Sequence, residues 1–250
     1  MLITSLDNDR IKSYIKLKDR KYRKKEKKFI VEGMHLVLEA YKKGIVEELI
    51  VEKDVVLPIN LPTIYVTNEI IHKISEMESP SNIMALCRME ENKITGDKIL
   101  MLDEIQDPGN LGIIIRSALA FNVDTIVLSP NTVDLYNPKV IRATQGMMFH
   151  INIVISDLEP IINNLKASEI PIYGTRVDYG EDVSKLKEKD RKKYCLIMGN
   201  EGNGVREEIL DMCDSYLYID MNEKVESLNV GVATSIILYE LNKWIKKVFV

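Results

Sequence analysis

The order of apolar and polar positions changes near residue 95. Beyond that point, short apolar runs alternate with longer amphipathic stretches, and the run Ile99-Leu-Met-Leu contains no polar side chain. Apolar runs of this length are typical of parallel strands that are buried on both faces and connected by helices. The pattern therefore predicts an α/β domain with a mostly parallel sheet over residues 97–250.

The same periodicity predicts where the strands and helices of this second domain lie. The predicted strands are 99–103, 125–128, 151–155, 170–175, 194–198 and 215–219. The predicted helices are 111–121, 138–144, 158–167, 206–211 and 229–247.

Residues 1–92 are predicted to form a smaller α/β unit. Asp7-Asn-Asp begins a helix that carries many basic residues, and short apolar runs then alternate with helical spacing. The predicted strands are 29–32, 46–51, 63–66 and 82–87, and the further predicted helices are 33–43 and 68–75. The polar segment 90–98, which contains Gly96, is the predicted linker.

The composition indicates a globular protein that we expect in the cytoplasm and away from membranes. Of the 250 residues, 46% are hydrophobic, and no run reaches the roughly 18 apolar residues that span a bilayer. The residues after Met1 do not form an apolar signal segment. Cys87, Cys195 and Cys213 are far apart and the three histidines are scattered, so we expect neither a disulfide framework nor a metal site.

Charge is unevenly distributed along the chain. The net charge is −4, but residues 10–28 contain eleven Lys or Arg against Asp19 and Glu26, a local charge of 11 − 2 = +9. Tyr14 and Tyr22 lie among them. A basic stretch with aromatic side chains can neutralise phosphates and stack on bases, which favours RNA binding on a limited face. The alternative is a solvated arm without a partner.

A first polar motif follows the predicted strand 99–103. In the sequence Asp103-Glu-Ile-Gln-Asp-Pro-Gly-Asn, Pro108 and Gly109 favour a turn, and Asn110 suits the N-cap of the next helix. Arg116 lies on that otherwise apolar helix, so we expect it to have an anionic partner or to face a cleft.

A second motif, Gly199-Asn-Glu-Gly-Asn-Gly204, follows the strand 194–198. Its glycines allow a sharp turn that presents backbone N–H groups to a ligand. Neither the P-loop nor the dinucleotide-binding spacing is present. Because a turn has no structural need for a carboxylate, Glu201 is a candidate functional residue.

A third motif, Glu226-Ser-Leu-Asn-Val230, opens the last predicted helix, with Ser227 or Asn229 as its N-cap. The N–H groups of that first turn are also available to a ligand. All three motifs lie at the carboxyl ends of predicted strands, where open α/β sheets bind ligands. They therefore predict one composite site.

In order and spacing, the three motifs resemble those of the SpoU (TrmH) family of RNA ribose 2′-O-methyltransferases, in the SPOUT superfamily. The resemblance covers residues 97–245. The front part, with Lys28-Phe-Ile-Val-Glu-Gly-Met-His-Leu-Val and Asn82-Ile-Met-Ala-Leu, is similar to the substrate-binding domain of ribosomal-RNA members. That resemblance implies a ribosomal-protein-like α/β fold that binds RNA.

The resemblance implies a fold, a cofactor and site residues. The fold is a SPOUT domain with a deep trefoil knot, working as a homodimer through the C-terminal domain. The implied cofactor, S-adenosylmethionine, is held mainly by backbone groups of the second and third motifs. The matching cofactor positions are Gly199, Ile219 and Leu228, together with their neighbours Thr175, Asn200 and Met221. The matching catalytic positions are Asn110, Arg116, Glu201, Ser227 and Asn229.

In this family, the residue that matches Arg116 is the usual candidate for activating the ribose hydroxyl. Since a guanidinium rarely loses a proton, we expect Arg116 to hold the neighbouring phosphate and to stabilise the developing alkoxide. Glu201 and Asn229 would then orient Arg116, the ribose or the leaving cofactor. One departure is the loop 220–225, where Asp220 and Glu223 replace the Pro and Gly of many members.

These features predict methyl transfer to a ribose 2′-OH of RNA, with 23S ribosomal RNA as the expected substrate. The alternatives are the same chemistry on transfer RNA, a non-catalytic RNA-binding protein with a degenerate cofactor pocket, and a small-molecule nucleotide-binding protein. The front domain argues against transfer RNA, and the intact motifs argue against a non-catalytic protein. The basic stretch argues against a small-molecule nucleotide-binding protein. A role in antibiotic resistance is compatible with the sequence.

Overall fold

The computed structural model describes residues 2–55, 60–177 and 179–243. The chain folds as two compact units. The first unit consists of Met1–Glu91 and Asp134–Phe149, and the second of Asn92–Val133 and His150–Val250. The segment Asp134–Phe149 therefore belongs to the first unit, although the sequence pattern places it within the second domain.

The described elements follow one another in chain order. The strands are β1 (Leu2–Ile3), β2 (Lys28–Glu32), β3 (Val46–Glu52), β4 (Thr63–Val66), β5 (Ile83–Arg88), β6 (Lys98–Leu102), β7 (Thr125–Leu128), β8 (Asn152–Ile155), β9 (Ile172–Thr175), β10 (Glu181–Asp182), β11 (Tyr194–Met198) and β12 (Ser215–Tyr218). The helices are α1 (Asp9–Lys16), α2 (Arg20–Glu26), α3 (Met34–Lys43), α4 (Asn68–Ile74), α5 (Pro108–Ala120), α6 (Pro138–Ala143), α7 (Leu158–Ala167), α8 (Glu207–Leu210) and α9 (Val230–Asn242).

The first unit is built on a mixed five-stranded sheet in the order β1-β4-β3-β5-β2. Strands β1, β4 and β3 run parallel, while β5 runs antiparallel to both β3 and β2. One face of this sheet is covered by α1 and α4, whose residues Ile11, Ile70 and Ile71 belong to the same buried cluster as Ile50 and Met84. The basic N-terminal stretch is thereby anchored to a core by its apolar positions.

The segment Asp134–Phe149 completes the core of the first unit. The ring of Phe29, which is 1% exposed, lies 4.6 Å from that of Tyr136 and 6.3 Å from that of Phe149, centroid to centroid. The buried Arg23 guanidinium binds Asp134, with 2.5 Å between Nη2 and Oδ2. Residues distant in sequence thus supply an aromatic contact and a counter-ion to the N-terminal unit.

The second unit contains a seven-stranded sheet in the order β10-β12-β9-β11-β6-β7-β8, and its described neighbours all pair in parallel. This confirms the predicted parallel α/β domain. The apolar positions of β6 and β11 are fully buried, and α7 contributes Ile162 to the same cluster as Met101 and Ile197.

Some predicted boundaries were wrong. The basic stretch forms two helices, since Asp19 caps α2 by accepting from Lys21 N at 2.7 Å. Helix α5 begins at Pro108, and its N-cap is Asp107, so the prediction that Asn110 is the cap was wrong. Asn229 is confirmed as the N-cap of α9. The predicted end of that helix, residues 244–247, lies outside the described residues.

Among the helices of residues 2–55, 60–177 and 179–243, none combines the length and apolar character that crossing a bilayer requires.

Candidate functional site

The carboxyl ends of four adjacent strands form the edge of the second sheet to which the motifs belong. In the sheet order β12-β9-β11-β6, the chain leaves these strands at Ile219, Arg176, Gly199 and Asp103. Thr175 ends β9, and its Oγ1 donates to the carbonyl of Ile197 at 2.9 Å. The second and first motifs therefore follow neighbouring strands, as a composite site requires.

The Gly-rich segment after β11 is a tight, self-bonded turn. Asn200 and Gly204 exchange two backbone hydrogen bonds of 2.9 Å. Asn200 Oδ1 accepts from the backbone N–H groups of Gly202 and Asn203 at 2.9 and 3.1 Å. A Cβ at Gly199 would lie 2.0 Å from the backbone of Gly204, so only glycine fits there. The turn is therefore held by its own hydrogen bonds, and its close backbone approach requires glycine at position 199.

Glu201, at the tip of this turn, binds the first motif. Its carboxylate accepts from the backbone N–H groups of Gln106 (3.1 Å) and Asp107 (2.9 Å) and from Asn110 Nδ2 (3.0 Å). Burial by itself would raise the pKa of Glu201, but these hydrogen bonds outweigh it and hold the pKa below its ordinary value. The expectation that the turn has no structural need for this carboxylate was wrong.

The third motif joins the same hydrogen-bonded chain. Asn229 Nδ2 donates to Asn110 Oδ1 at 2.8 Å. Asn229 Oδ1 caps α9 by accepting from the backbone of Gly231 and Val232. Side chains of all three motifs, in the order Asn229, Asn110, Glu201, are thus connected.

Two further contacts connect the first and second motifs. Asp103, which is fully buried at the end of β6, accepts from Arg206 Nε at 2.9 Å and from the Arg206 backbone N–H at 3.0 Å. Asn200 Nδ2 donates to the Glu104 carbonyl at 2.9 Å. The sequence analysis missed Asp103 and Arg206. The available signal was a carboxylate directly after a fully apolar strand, which requires a partner.

The structure does not connect the other two predicted catalytic residues to this chain. Arg116 is exposed on α5, and Ser227 is exposed in the segment before α9. The side chain of neither residue forms a hydrogen bond or ion pair with another described residue. The expected anionic partner of Arg116 is therefore absent from the described part of the chain, and its guanidinium is available to a ligand.

Two of the predicted cofactor positions, Met221 and Leu228, fit a ligand held by backbone groups, whereas the backbone N–H and C=O of Asn200 are already paired with Gly204. Met221 and Leu228 are half-buried, and their backbone N–H and C=O groups bond to no described residue. At Gly204, with φ of +72°, the space that a side chain would occupy is open. Ile219 lies directly after β12 on the same sheet edge. Half-buried backbone groups without partners are suited to a polar ligand.

In the first unit, the basic stretch combines structural and exposed cations. Arg10 and Tyr14 both bind the Glu48 carboxylate, and Arg23 binds Asp134. The remaining basic positions include five exposed lysines, which are Lys12, Lys16, Lys21, Lys24 and Lys25. Part of the predicted RNA-binding charge therefore holds the fold together, and the rest faces solvent.

These features define an α/β protein in which three loops meet at one edge of a parallel sheet, with a smaller unit that carries exposed basic residues. The model of the SpoU rRNA Methylase family matches residues 97–239. The model of the MRM3-like substrate binding domain matches residues 8–85. The chain belongs to the SpoU rRNA methylase family, which confirms the resemblance found in the sequence.

Relatives and solved structures match along almost the whole chain. The 23S rRNA (guanosine(2553)-2′-O)-methyltransferase RlmP of Bacillus subtilis is 38% identical over 245 residues, covering 96% of this chain and 98% of the relative. An AdoMet-bound rRNA methyltransferase from Sinorhizobium meliloti is 26% identical with a TM-score of 0.86, covering 97% of each chain. The SpoU methyltransferase AviRb from Streptomyces viridochromogenes, 24% identical over 94% of this chain and 97% of that one, has the same fold with a TM-score of 0.84.

Proposed function

We propose that this protein transfers a methyl group from S-adenosylmethionine to a ribose 2′-OH of 23S ribosomal RNA. The observation that carries the proposal is the hydrogen-bonded chain Asn229–Asn110–Glu201, which joins the three family motifs at one sheet edge. The similarity to the Bacillus subtilis enzyme over nearly the full length of both chains supports the substrate class.

The residues that would hold the cofactor are Thr175, Gly199, Asn200, Ile219, Met221 and Leu228. When bound, S-adenosylmethionine supplies an electrophilic methyl group on a sulfonium. The unpaired backbone groups of Met221 and Leu228 are suited to its polar atoms. Gly199 allows the close approach of the Gly204 backbone on which the turn depends.

The ribose hydroxyl has to be aligned and has to lose its proton. Arg116 carries hydrogen-bond donors and no acceptor, so we assign it to the phosphate beside the target ribose, where it stabilises charge developing on the 2′ oxygen. Glu201 is a poor proton acceptor because hydrogen bonds already hold its carboxylate in the charged form. It acts as a positioning residue, and the proton leaves to solvent at this exposed edge.

Asn110 and Asn229 act as a fixed pair. Each amide has both a donor and an acceptor engaged, so neither side chain is free to rotate. We assign this pair to the orientation of the ribose. Ser227, two residues before the N-cap and exposed, is assigned to hydrogen bonding with the RNA.

We also propose a homodimer formed through α5 and α9. Ile113, Val232 and Tyr239 are apolar and between 42% and 52% exposed on these two packed helices, which is unusual for a surface facing only water. Arg116 belongs to the same helix as Ile113, so dimerisation would bring the site close to the partner.

The family also implies the trefoil knot, which we propose for the chain after β11. The placement of β11 between β9 and β6 is compatible with such threading. The first unit is the proposed RNA-binding domain, and the proposed substrate places the enzyme in the cytoplasm.

The direct test is methyl transfer from radiolabelled S-adenosylmethionine to 23S ribosomal RNA and to transfer RNA in parallel, followed by nucleoside digestion. We expect the label in a 2′-O-methylnucleoside of ribosomal RNA, and labelling that is about 10²–10³-fold slower with Arg116→Ala. Label confined to transfer RNA, or in a base, would contradict the proposal.

A further inference from the structure

The buried carboxylate of Asp103, directly after β6, has no part in the proposed mechanism. Its side chain is 0% exposed and is paired with the guanidinium of Arg206. An apolar pair of similar volume is often at least as stable as a buried ion pair, so stability alone does not account for these two residues. Their position at the motif-bearing edge of the second sheet indicates a role in the site.

Asp103 holds the Gly199–Gly204 turn at both of its ends. On one side, the backbone N–H of Asp103 donates to the carbonyl of Met198, the residue that precedes the turn, at 2.9 Å. On the other side, the carboxylate accepts from the Nε and from the backbone N–H of Arg206, which follows the turn, at 2.9 and 3.0 Å. One residue of the first motif therefore fixes both ends of the second motif.

The next residue, Glu104, has an uncommon backbone conformation that directs its carbonyl at the same turn. Its φ is +61°, in a region that residues with a side chain rarely adopt. The carbonyl accepts from Asn200 Nδ2 at 2.9 Å. This conformation is stabilised because the Glu104 N–H donates to Ser129 Oγ and its carboxylate accepts from Asn131 Nδ2, both at 2.8 Å. Strained conformations that the surroundings stabilise in this way are typical of functional sites.

Glu201 is attached to the first motif independently of these contacts. Its carboxylate accepts from groups between residues 106 and 110, where Asn110 is assigned to the ribose. The ion pair and the Glu104 carbonyl instead hold the part of the turn that carries the proposed cofactor positions Gly199 and Asn200. Loss of the ion pair should therefore affect cofactor binding, and loss of the Glu201 contacts should affect turnover.

We propose that Asp103 and Arg206 are positioning residues for the cofactor, which hold the Gly199–Gly204 turn in its binding conformation before S-adenosylmethionine binds. A site that is ordered in advance loses less conformational entropy on binding, so its affinity is higher. The proposal rests on the proposed function, because it takes this turn to bind the cofactor. It divides the second motif into Arg206, which sets cofactor affinity, and Glu201, which sets turnover.

The test compares Arg206→Ala with Glu208→Gln in the full-length protein. Glu208 is 60% exposed and binds Nη1 of the same guanidinium at 3.1 Å, so the control changes the surroundings of Arg206 and leaves its pair with Asp103 intact. The measurements are the Kd for S-adenosylmethionine by calorimetry, the kcat at saturating cofactor and RNA, the Tm, and the amide hydrogen exchange of residues 199–206 without cofactor.

Arg206→Ala should raise the Kd for S-adenosylmethionine about tenfold, because the turn then has to be ordered on binding. The kcat at saturation should stay within about twofold of wild type, since the lost interaction serves the ground state and the transition state equally. Amide exchange of residues 199–206 should be faster. Glu208→Gln should change each of these quantities by less than about twofold. A kcat that falls as far as the affinity would overturn the proposal.

A double variant separates positioning from stability. Arg206→Ala leaves the Asp103 carboxylate buried without its cation, so its Tm should fall. When Asp103→Asn is added, the unpaired charge is gone and the Tm should return most of the way to the wild-type value. The Kd should remain raised about tenfold, because the guanidinium contact is still missing. A cofactor affinity that recovers together with the Tm would overturn the proposal, since the pair would then be purely structural.

Arg206→Lys adds a comparison that holds even where Arg206→Ala does not fold. It keeps a cation beside Asp103 but loses the planar fork, so the Tm should stay near wild type while the Kd rises about threefold. Wild-type affinity and amide exchange in both Arg206→Lys and the double variant would also overturn the proposal. A wild-type protein that shows these effects on cofactor binding but never methylates RNA would contradict the proposed function alone, and one that does not bind the cofactor would contradict both.

Discussion

Asn229 Nδ2 donates a 2.8 Å hydrogen bond to Asn110 Oδ1, across 119 positions of sequence. The Asn110 amide donates in turn to Glu201, and the Asn229 oxygen caps α9. The nitrogen and the oxygen of each amide therefore both make a hydrogen bond within the protein. Residues connected in one hydrogen-bond network respond non-additively to substitution, so the three motifs should behave as a unit.

Two substitutions of Asn229 should distinguish its role as a helix cap from its role in positioning Asn110. Asn229→Ala loses both, and should lower the Tm by about 2–4 °C because an N-cap contributes about 1 kcal/mol. Asn229→Asp keeps an acceptor at the helix N-terminus, where a carboxylate is favoured, but cannot donate to Asn110. Its Tm should stay at the wild-type value while kcat falls about 100-fold. Normal turnover in Asn229→Asp would refute the positioning role.

Arg116 should matter for catalysis and hardly for stability. It is exposed and has no partner among the described residues, so Arg116→Ala should leave the Tm and the Kd for S-adenosylmethionine unchanged. The rate should fall by about 10²–10³, the range for removal of one oxyanion-stabilising donor. Arg116→Lys keeps the charge but loses the planar fork, and should recover only part of the rate. A parallel loss of cofactor affinity would contradict this assignment.

Because the pKa of Glu201 is lowered, the contribution of this carboxylate to the free energy of unfolding should depend on pH. A carboxylate with a depressed folded-state pKa stabilises the fold above its unfolded value of about 4.3, and that stabilisation is lost as the pH falls through the folded value. The Tm difference between wild type and Glu201→Gln should therefore be largest near neutral pH and shrink below about pH 4.

Glu207→Gln is the control for this pH series. Glu207 is 74% exposed and pairs with Arg176 at the surface, where an ion pair contributes little. Thermal unfolding scans from pH 3 to pH 8 should show a nearly constant small difference for this variant. A Glu201→Gln difference that does not change with pH would argue against the role of its charge.

Asp134 should be essential to the first unit although it comes from the middle of the chain. In Asp134→Ala, Arg23 remains 5% exposed without a counter-ion, which costs about 3–5 kcal/mol of unfolding free energy. The matched control is Asp7→Ala, which breaks the surface pair with Lys12 and should cost about 0–1 kcal/mol. Urea unfolding of both variants measures the difference, and similar midpoints would contradict the prediction.

The sequence predicted the parallel domain because its strands are uninterrupted apolar runs, as in β6 and β11. It predicted the family because the three motifs have a characteristic order, and it offered Asn229, besides Ser227, as the cap of the last helix. Local patterns of this kind can be recognised from the sequence alone.

The sequence could not show which side chains pair across long separations. Glu201 was expected to have no structural role. Its carboxylate nevertheless accepts hydrogen bonds from two backbone N–H groups of the first motif and from Asn110. Asp103 and Arg206 were missed for the same reason, since they lie 103 positions apart and meet only when β6 and β11 pair. Helix α5 began early because Asp107 competes successfully with Asn110 for the capping position.

The grouping of Asp134–Phe149 with the N-terminal residues has a consequence for building hybrid enzymes. A chimera that exchanges only residues 1–92 between two relatives would place Phe29 and Arg23 against foreign partners. A functional exchange of RNA specificity requires three crossover points, so that the inserted segment travels with the N-terminal part. Recombination between relatives should likewise be tolerated only where residues 134–149 and the N-terminal part come from the same parent.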